Sequence, residues 1–252
     1  MIYITGDCHG DWTKFSSSAF PEQKEMTKED FVIVCGDFGL WHDDKTERWW
    51  FKWFEKKNFT ILFVDGNHEN FDRLYSEFET VAFYGGKAHK IRENIYHLMR
   101  GYVFNICGKK IFTFGGAASH DIQNGILDQK NYLDRNALIK DYNARTQRGE
   151  MLRINHISWW KQEMPSPEEM RFGVKTLTYN KNKVDFIVSH CAPSHIAASI
   201  AAGKYKPDML TDYFETISQT VNFKKWFFGH YHNDIAVDDK YILLYDQIIR
   251  IA

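Results

Sequence analysis

Along the chain, short blocks rich in β-branched and aromatic residues recur, and each ends on Gly, Asp, Asn or His. The clearest cover residues 2–5, 31–35, 60–64, 110–114, 184–189, 225–228 and 241–245, and such blocks predict sheet strands. Several are almost continuously apolar instead of alternating, as expected of strands covered on both faces. Between them the pattern predicts helices over 11–18, 45–56, 70–76 and 168–180, and a long polar, helical stretch over 128–161. The run Pro165-Ser166-Pro167-Glu168-Glu169 marks a helix start, with a capping hydroxyl followed by acids in the first turn. Residues 95–114 read as a hairpin turning at Cys107-Gly108-Lys109-Lys110. No internal repeat, low-complexity tract or linker interrupts this succession, so one layered α/β domain over 1–252 is expected.

The composition supports a packed domain. Hydrophobic residues make up 44% of the 252 positions and aromatics 16%, enough apolar surface to offset the entropy of ordering the chain. The formal charge of −1 gives no overall field that would draw the protein to nucleic acid or anionic membranes. Cys8, Cys35, Cys107 and Cys191 are scattered without paired spacing, which points to reduced thiols and a cytoplasmic location. The start MIYIT lacks a basic and then apolar leader, and no stretch approaches 18 uncharged apolar residues; neither export nor a membrane span is expected.

Residues 130–161 depart from this balance, with seven basic side chains (Lys130, Arg135, Lys140, Arg145, Arg148, Arg153, Lys161) against three acids (Asp134, Asp141, Glu150). The excess fits a solvated helix face or a basic cap over a phosphate site.

The chemistry lies at the ends of the predicted strands. After 2–5 comes Gly6-Asp7-Cys8-His9-Gly10, after 31–35 Gly36-Asp37, after 60–64 Asp65-Gly66-Asn67-His68-Glu69, after 184–189 His190, and after 225–228 Gly229-His230-Tyr231-His232. Open α/β sheets place their sites at these C-terminal strand ends. Mixed imidazole and carboxylate donors suit Mn, Fe, Zn or Ni, and two neighbouring cations call for anionic ligands, best with one carboxylate bridging both. The glycines beside the ligands suit a chain that turns sharply or is approached closely by other backbone.

In this order, Gly6-Asp7-x-His9-Gly10, Gly36-Asp37, Gly66-Asn67-His68-Glu69, Ser189-His190 and Gly229-His230-x-His232 resemble the signature of the calcineurin-like metallophosphoesterases across almost the whole chain. The resemblance implies a four-layer α/β/β/α sandwich, two central mixed sheets flanked by helices, with a helical cap or insertion around 120–175. It also implies two metal ions, Mn before Fe, Zn or Ni. Asp7, His9 and His232 would hold the first, Asn67, His190 and His230 the second, and Asp37 would bridge them. A hydroxide between the metals would attack a phosphate ester, with His68 as general acid or as a hydrogen-bond donor at the leaving oxygen. Glu69 is expected to be a structural partner, not a ligand.

Three departures narrow the substrate. The protein phosphatase branch carries Asp and Arg where this chain has Leu40 and Trp41, and Arg where it has Asp65. Without those forks for a phosphate dianion, a phosphodiester is favoured, unless arginines from 130–161 restore the clamp; a phosphomonoesterase is the alternative. Ser119, His120 and Asp121 follow another strand and are expected on the substrate side or in structural roles. Trp41, His42, Trp159, Trp160 and Tyr231 could stack on a nucleobase, although core packing is the better explanation for most of the aromatics. A nucleotide or nucleic-acid substrate therefore stays open beside a non-catalytic metal-binding scaffold. The four cysteines read as small buried hydrophobes, and Cys8 and Cys191, one residue from proposed ligands, add an expected sensitivity to oxidation.

Overall fold

The computed structural model describes residues 1–40, 45–200 and 206–252. Trp41 and His42 lie outside the described residues. In chain order the elements are β1 (Ile2–Thr5), β2 (Phe31–Val34), α1 (Lys45–Glu55), β3 (Thr60–Phe63), α2 (Phe71–Ser76), β4 (Glu79–Phe83), β5 (Gly86–Arg92), β6 (Ile95–Leu98), β7 (Tyr102–Ile106) and β8 (Lys109–Phe114). There follow β9 (Ile126–Leu127), α3 (Arg135–Gln147), β10 (Arg153–Ile154), α4 (Pro167–Tyr179), β11 (Phe186–Ser189), α5 (Ser194–Ile200), α6 (Met209–Thr220), β12 (Lys225–Phe228), β13 (Ile235–Ala236), β14 (Tyr241–Leu243) and β15 (Ile249–Arg250).

Two mixed sheets dominate, in the orders β15-β1-β2-β3-β6-β5-β4 and β13-β14-β12-β11-β8-β7. In each, four neighbouring strands run parallel (β1, β2, β3, β6; β14, β12, β11, β8) and antiparallel strands close the edges. The two-residue period of a strand explains the near-continuous apolar runs. Ile2, Ile4, Ile33, Leu62 and Val64 of the first sheet pack with Phe104, Ile111, Phe186, Val188 and Phe227 of the second. The alternate residues Tyr3, Val32, Val34, Ile61 and Phe63 face Trp12, Phe15, Phe51 and Phe54. On the far side, Phe112, Ile187, Trp226 and Phe228 meet Leu177, Ile196, Leu210, Phe214 and Ile217 of α4, α5 and α6. Both sheets are thus covered twice, and the α/β/β/α sandwich follows. No helix among the described residues is long and apolar enough to cross a membrane.

Local signals explain several boundaries. Ser166 accepts from Glu169 N–H while the Glu169 carboxylate accepts from Ser166 N–H, a full capping box at the start of α4. Asn70 caps α2 through Arg73 N–H, and Asp134 caps α3 through Ala137 N–H.

Other expectations are corrected. Residues 11–18 form only a 3-10 turn at Thr13–Phe15, because Trp12 and Phe15 are drawn into the core while Lys14 turns back to the Asp7 carbonyl at 2.7 Å. The proposed 95–114 hairpin divides: β6 pairs in parallel with β3 in the first sheet, and only β7 and β8 form the hairpin, in the second. Its turn residues Cys107 and Gly108 both have positive φ, as a tight two-residue hairpin requires. The 128–161 stretch is α-helical only over α3, preceded by a 3-10 turn at Gln129–Asn131; a small core of Leu127, Leu138, Leu152 and Ile154 holds α3 against the short parallel pair β9 and β10.

Candidate metal centre

The loops leaving β1, β2, β3, β11 and β12 bring Asp7, His9, Asp37, Asn67, His68, His190, His230 and His232 together. The backbone there is unusual: His9, Asp37, His230 and His232 have φ of 50°, 47°, 70° and 47°. Side chains rarely adopt this left-handed region, and where they do the strain commonly marks a functional site. The loops are also crowded. A Cβ on Gly66 would lie 2.0 Å from Asp37 Oδ1, and one on Gly229 would lie 2.0 Å from Asp7 Oδ1. Neither glycine has positive φ; each is required for room.

Among the described residues, donor atoms converge in three overlapping groups, Asp7/His9/His232, His9/Asp37/His68 and Asp7/Asp37/His190, each with its atoms within 4.8 Å of one another. His232 Nε2 lies 3.2 Å from Asp7 Oδ2 and 3.0 Å from His9 Nε2. His190 Nε2 lies 3.3 Å from Asp37 Oδ2 and 3.2 Å from Asn67 Oδ1. His190 Nδ1 is 2.8 Å from the Cys35 carbonyl, a contact that keeps a proton on Nδ1 and presents Nε2 as the nitrogen that a cation would meet in place of a second proton. His230 packs beside His190 with ring centroids 4.9 Å apart, and its Nε2 is 2.8 Å from His120 Nε2.

Electrostatics agree with this grouping. Burial disfavours a charged His190, yet the Asp37 and Asp7 carboxylates overrule it and push its pKa up to about 10. Burial would raise the pKa of Asp37, but His190, His68 and His9 hold it well below the usual carboxylate range. Two buried carboxylates that draw positive charge this strongly, ringed by imidazoles and one amide oxygen, are a donor set that fits divalent cations.

Around the donors lies a supporting layer. Glu69 is fully buried and accepts from the backbone N–H groups of Phe38, Gly39 and Leu40 at 2.7, 3.1 and 3.2 Å, pinning the loop that carries Asp37. Burial and the Asp37 charge push its pKa up to about 8 against those three bonds. Asp65, which replaces the arginine of the phosphatase branch, faces inward: it pairs with Arg100, whose Nε is 2.9 Å away, and with His97 Nε2 at 3.1 Å. Arg100 in turn donates to the Gln162 carbonyl at 2.7 Å.

Two residues that sequence reasoning did not single out reach the centre from the 130–163 region. Arg153 lies across the His68 ring, with Nη1 3.3 Å from Nδ1 and Nη2 3.4 Å from Nε2. Its fork is held by Asp121 at 2.7 and 2.6 Å. Burial first, helped by Arg153, lowers the His68 pKa to about 4 despite Asp37. Glu163, 2% exposed, engages Ser119. Only the basic bias of 130–161 hinted at Arg153; no local signal marked Glu163. Of the proposed base-stacking aromatics, Trp160 is instead buried, with its indole N–H on Asp72 at 2.7 Å.

The reading of the cysteines as small buried hydrophobes holds for Cys8, Cys35 and Cys191, whereas Cys107 is exposed. Cys8 and Cys191 are buried, and burial pushes the Cys8 pKa up to about 12 and that of Cys191 well above the usual value. Thiols held protonated in this way are poor targets for oxidation.

The family profile described as calcineurin-like phosphoesterase matches residues 1–234. The chain belongs to this family. It is 27% identical over 148 residues to lariat debranching enzyme A of Xenopus laevis, covering 52% of this chain and 26% of that protein. The lariat debranching enzyme of Danio rerio matches at the same identity over the same length, covering 25% of that protein. The match thus spans about a quarter of the length of these relatives. The crystal structure of phosphopantetheinyl hydrolase from Mycobacterium tuberculosis aligns over 97% of this phosphoesterase and 89% of its own chain, with a TM-score of 0.35 and 14% identity.

Proposed function

We propose that this phosphoesterase hydrolyses a phosphodiester with two divalent cations, one held by Asp7, His9 and His232, the other by Asn67, His190 and His230, with Asp37 between them. When bound, such a pair generates a hydroxide nucleophile near neutral pH and neutralises charge on the phosphoryl oxygens. The imidazole, carboxylate and amide donors suit Mn, with Fe, Zn and Ni as alternatives. The protein contributes two buried carboxylates, the His190 imidazole oriented by the Cys35 carbonyl, and His68 at the rim as a hydrogen-bond donor to the departing oxygen. A guanidinium lying across the His68 ring supports a neutral imidazole in that role, because it opposes a second positive charge there.

The preference for a diester rests on one observation. The arginine that reaches the centre, Arg153, already has its fork on Asp121, so it adds little net positive charge. A phosphodiester carries one negative charge where a monoester carries nearly two, and so places less demand on a cationic clamp. Similarity to two lariat debranching enzymes supports a nucleotide-containing diester.

The test follows hydrolysis of bis-p-nitrophenyl phosphate and p-nitrophenyl phosphate as Mn is returned to metal-free protein. Faster turnover of the diester is expected, with Asp37→Asn inactive; a monoester preference would overturn the substrate assignment. His68→Ala should slow alkyl esters more than nitrophenyl esters, and equal slowing would remove His68 from the leaving-group role.

A further inference from the structure

Glu163 is buried beneath the metal centre, and its side chain is bound to Ser119 through both oxygens. Ser119 N–H donates to Oε1 at 2.9 Å and Ser119 Oγ donates to Oε2 at 2.6 Å. The direction of the second bond matters. An ionised carboxylate can only accept, and burial pushes the Glu163 pKa up to about 7, so above that pH the hydroxyl proton of Ser119 points at Glu163 and the rest of Oγ faces outward as an acceptor. The group that meets it, at 3.4 Å, is the Asn67 side-chain amide, which must turn Nδ2 toward Ser119. Asn67 Oδ1 is then aimed the other way, 3.2 Å from His190 Nε2. An amide is nearly symmetric in shape, so its hydrogen-bond partners decide which end faces a site.

We propose that Glu163 and Ser119 are positioning residues for the second metal site: through a one-way hydrogen-bond relay they hold Asn67 with its oxygen, the end able to ligate a cation, toward His190. The proposal rests on the reading that Asn67 and His190 share a divalent ion. A second tie supports it. The backbone beside Glu163 is held to the same loop, since Arg100 bonds the Gln162 carbonyl at 2.7 Å and Asp65, two residues before Asn67, at 2.9 Å. Gly116 N–H, on the loop that carries Ser119, donates to the Asp65 carbonyl at 2.8 Å. The turn Lys161–Glu163 therefore grips the Asn67 loop through both a side chain and the main chain. Its side-chain contact determines the orientation of one ligand.

The experiment titrates Mn into metal-free protein by calorimetry, with turnover followed in parallel. Two sites are expected in the wild type. Ser119→Ala should loosen one of them about 10- to 100-fold, the usual cost of losing a partner behind a ligand, and leave the other unchanged. Ser119→Thr, which keeps the hydroxyl, should restore the loss. Glu163→Gln has nearly the same shape but can donate as well as accept; it should loosen the same site while the protein stays folded. Two sites of wild-type affinity in both Ser119→Ala and Glu163→Gln would overturn the relay, as would equal loosening of both sites or failure of threonine to rescue. A single Mn site in the wild type would instead overturn the two-cation reading, and the relay with it.

Discussion

The two halves of the proposed metal centre are held in different ways. His9 and His232 stand at an open edge, their side chains 29% and 51% exposed, whereas His190 is fully buried and Asn67 is 4% exposed. On the open side, ligand orientation depends on strained backbone and on neighbouring imidazoles. On the buried side, two of the three proposed ligands have a dedicated partner, the Cys35 carbonyl for His190 and Ser119 for Asn67, while His230 shares the left-handed backbone of the open side and meets His120. The buried half is therefore preorganised by the core, while the open half can adjust to substrate and solvent.

The most severe way to break this contrast is Asp37→Asn, which strikes both halves. Loosening two sites by 10- to 100-fold each should cut diesterase activity on the order of a thousandfold or more at limiting Mn. Activity within tenfold of the wild type would mean that the two halves do not share this carboxylate.

Arg100→Met probes the support behind the buried half. It leaves Asp65 charged and buried without its guanidinium, a change that costs about 3–5 kcal/mol, to be read from denaturant unfolding. The pH dependence has a defined sign. Burial would raise the Asp65 pKa, but Arg100 and His97 hold it well below the usual carboxylate range. That contribution is present above the unfolded value of about 4 and is lost as pH falls below it. The stability gap between wild type and Arg100→Met should therefore narrow below about pH 4; a constant gap would mean that the pair is not the source.

The finest distinction compares single ligands. His190→Ala should weaken Mn binding roughly 100-fold and His232→Ala roughly 10-fold, because solvent can take the place of an exposed ligand but reaches a buried one poorly. Equal losses in calorimetric titration would remove the distinction between the halves.

Much of this was legible in the sequence because ligands and strands are local signals. A run such as FVIVC followed by Gly-Asp states both where a strand ends and what stands there. What stayed hidden depends on contacts between distant segments. Arg153 and His68 meet across 85 positions, and Glu163 and Ser119 across 44; periodicity carries no trace of either. The loss of an arginine at Asp65 was visible, but not that Asp65 faces a partner of its own in Arg100. The hairpin over β4 and β5 escaped because its first strand is largely exposed and lacks the apolar pattern that marked the others. The turn at Thr13–Phe15 was mistaken for a helix because tertiary contacts of Trp12 and Phe15 overrode the local preference.

The β7–β8 turn also has a practical use. Cys107 is exposed at its tip, while the other three thiols are buried. It lies at the opposite end of β8 from the Ser119 loop, a strand length of roughly 20 Å for six residues. A maleimide dye or a surface tether therefore has one accessible point of attachment on the folded protein, facing away from the chemistry. The native chain can be immobilised or made fluorescent in a single orientation without introducing or removing a residue.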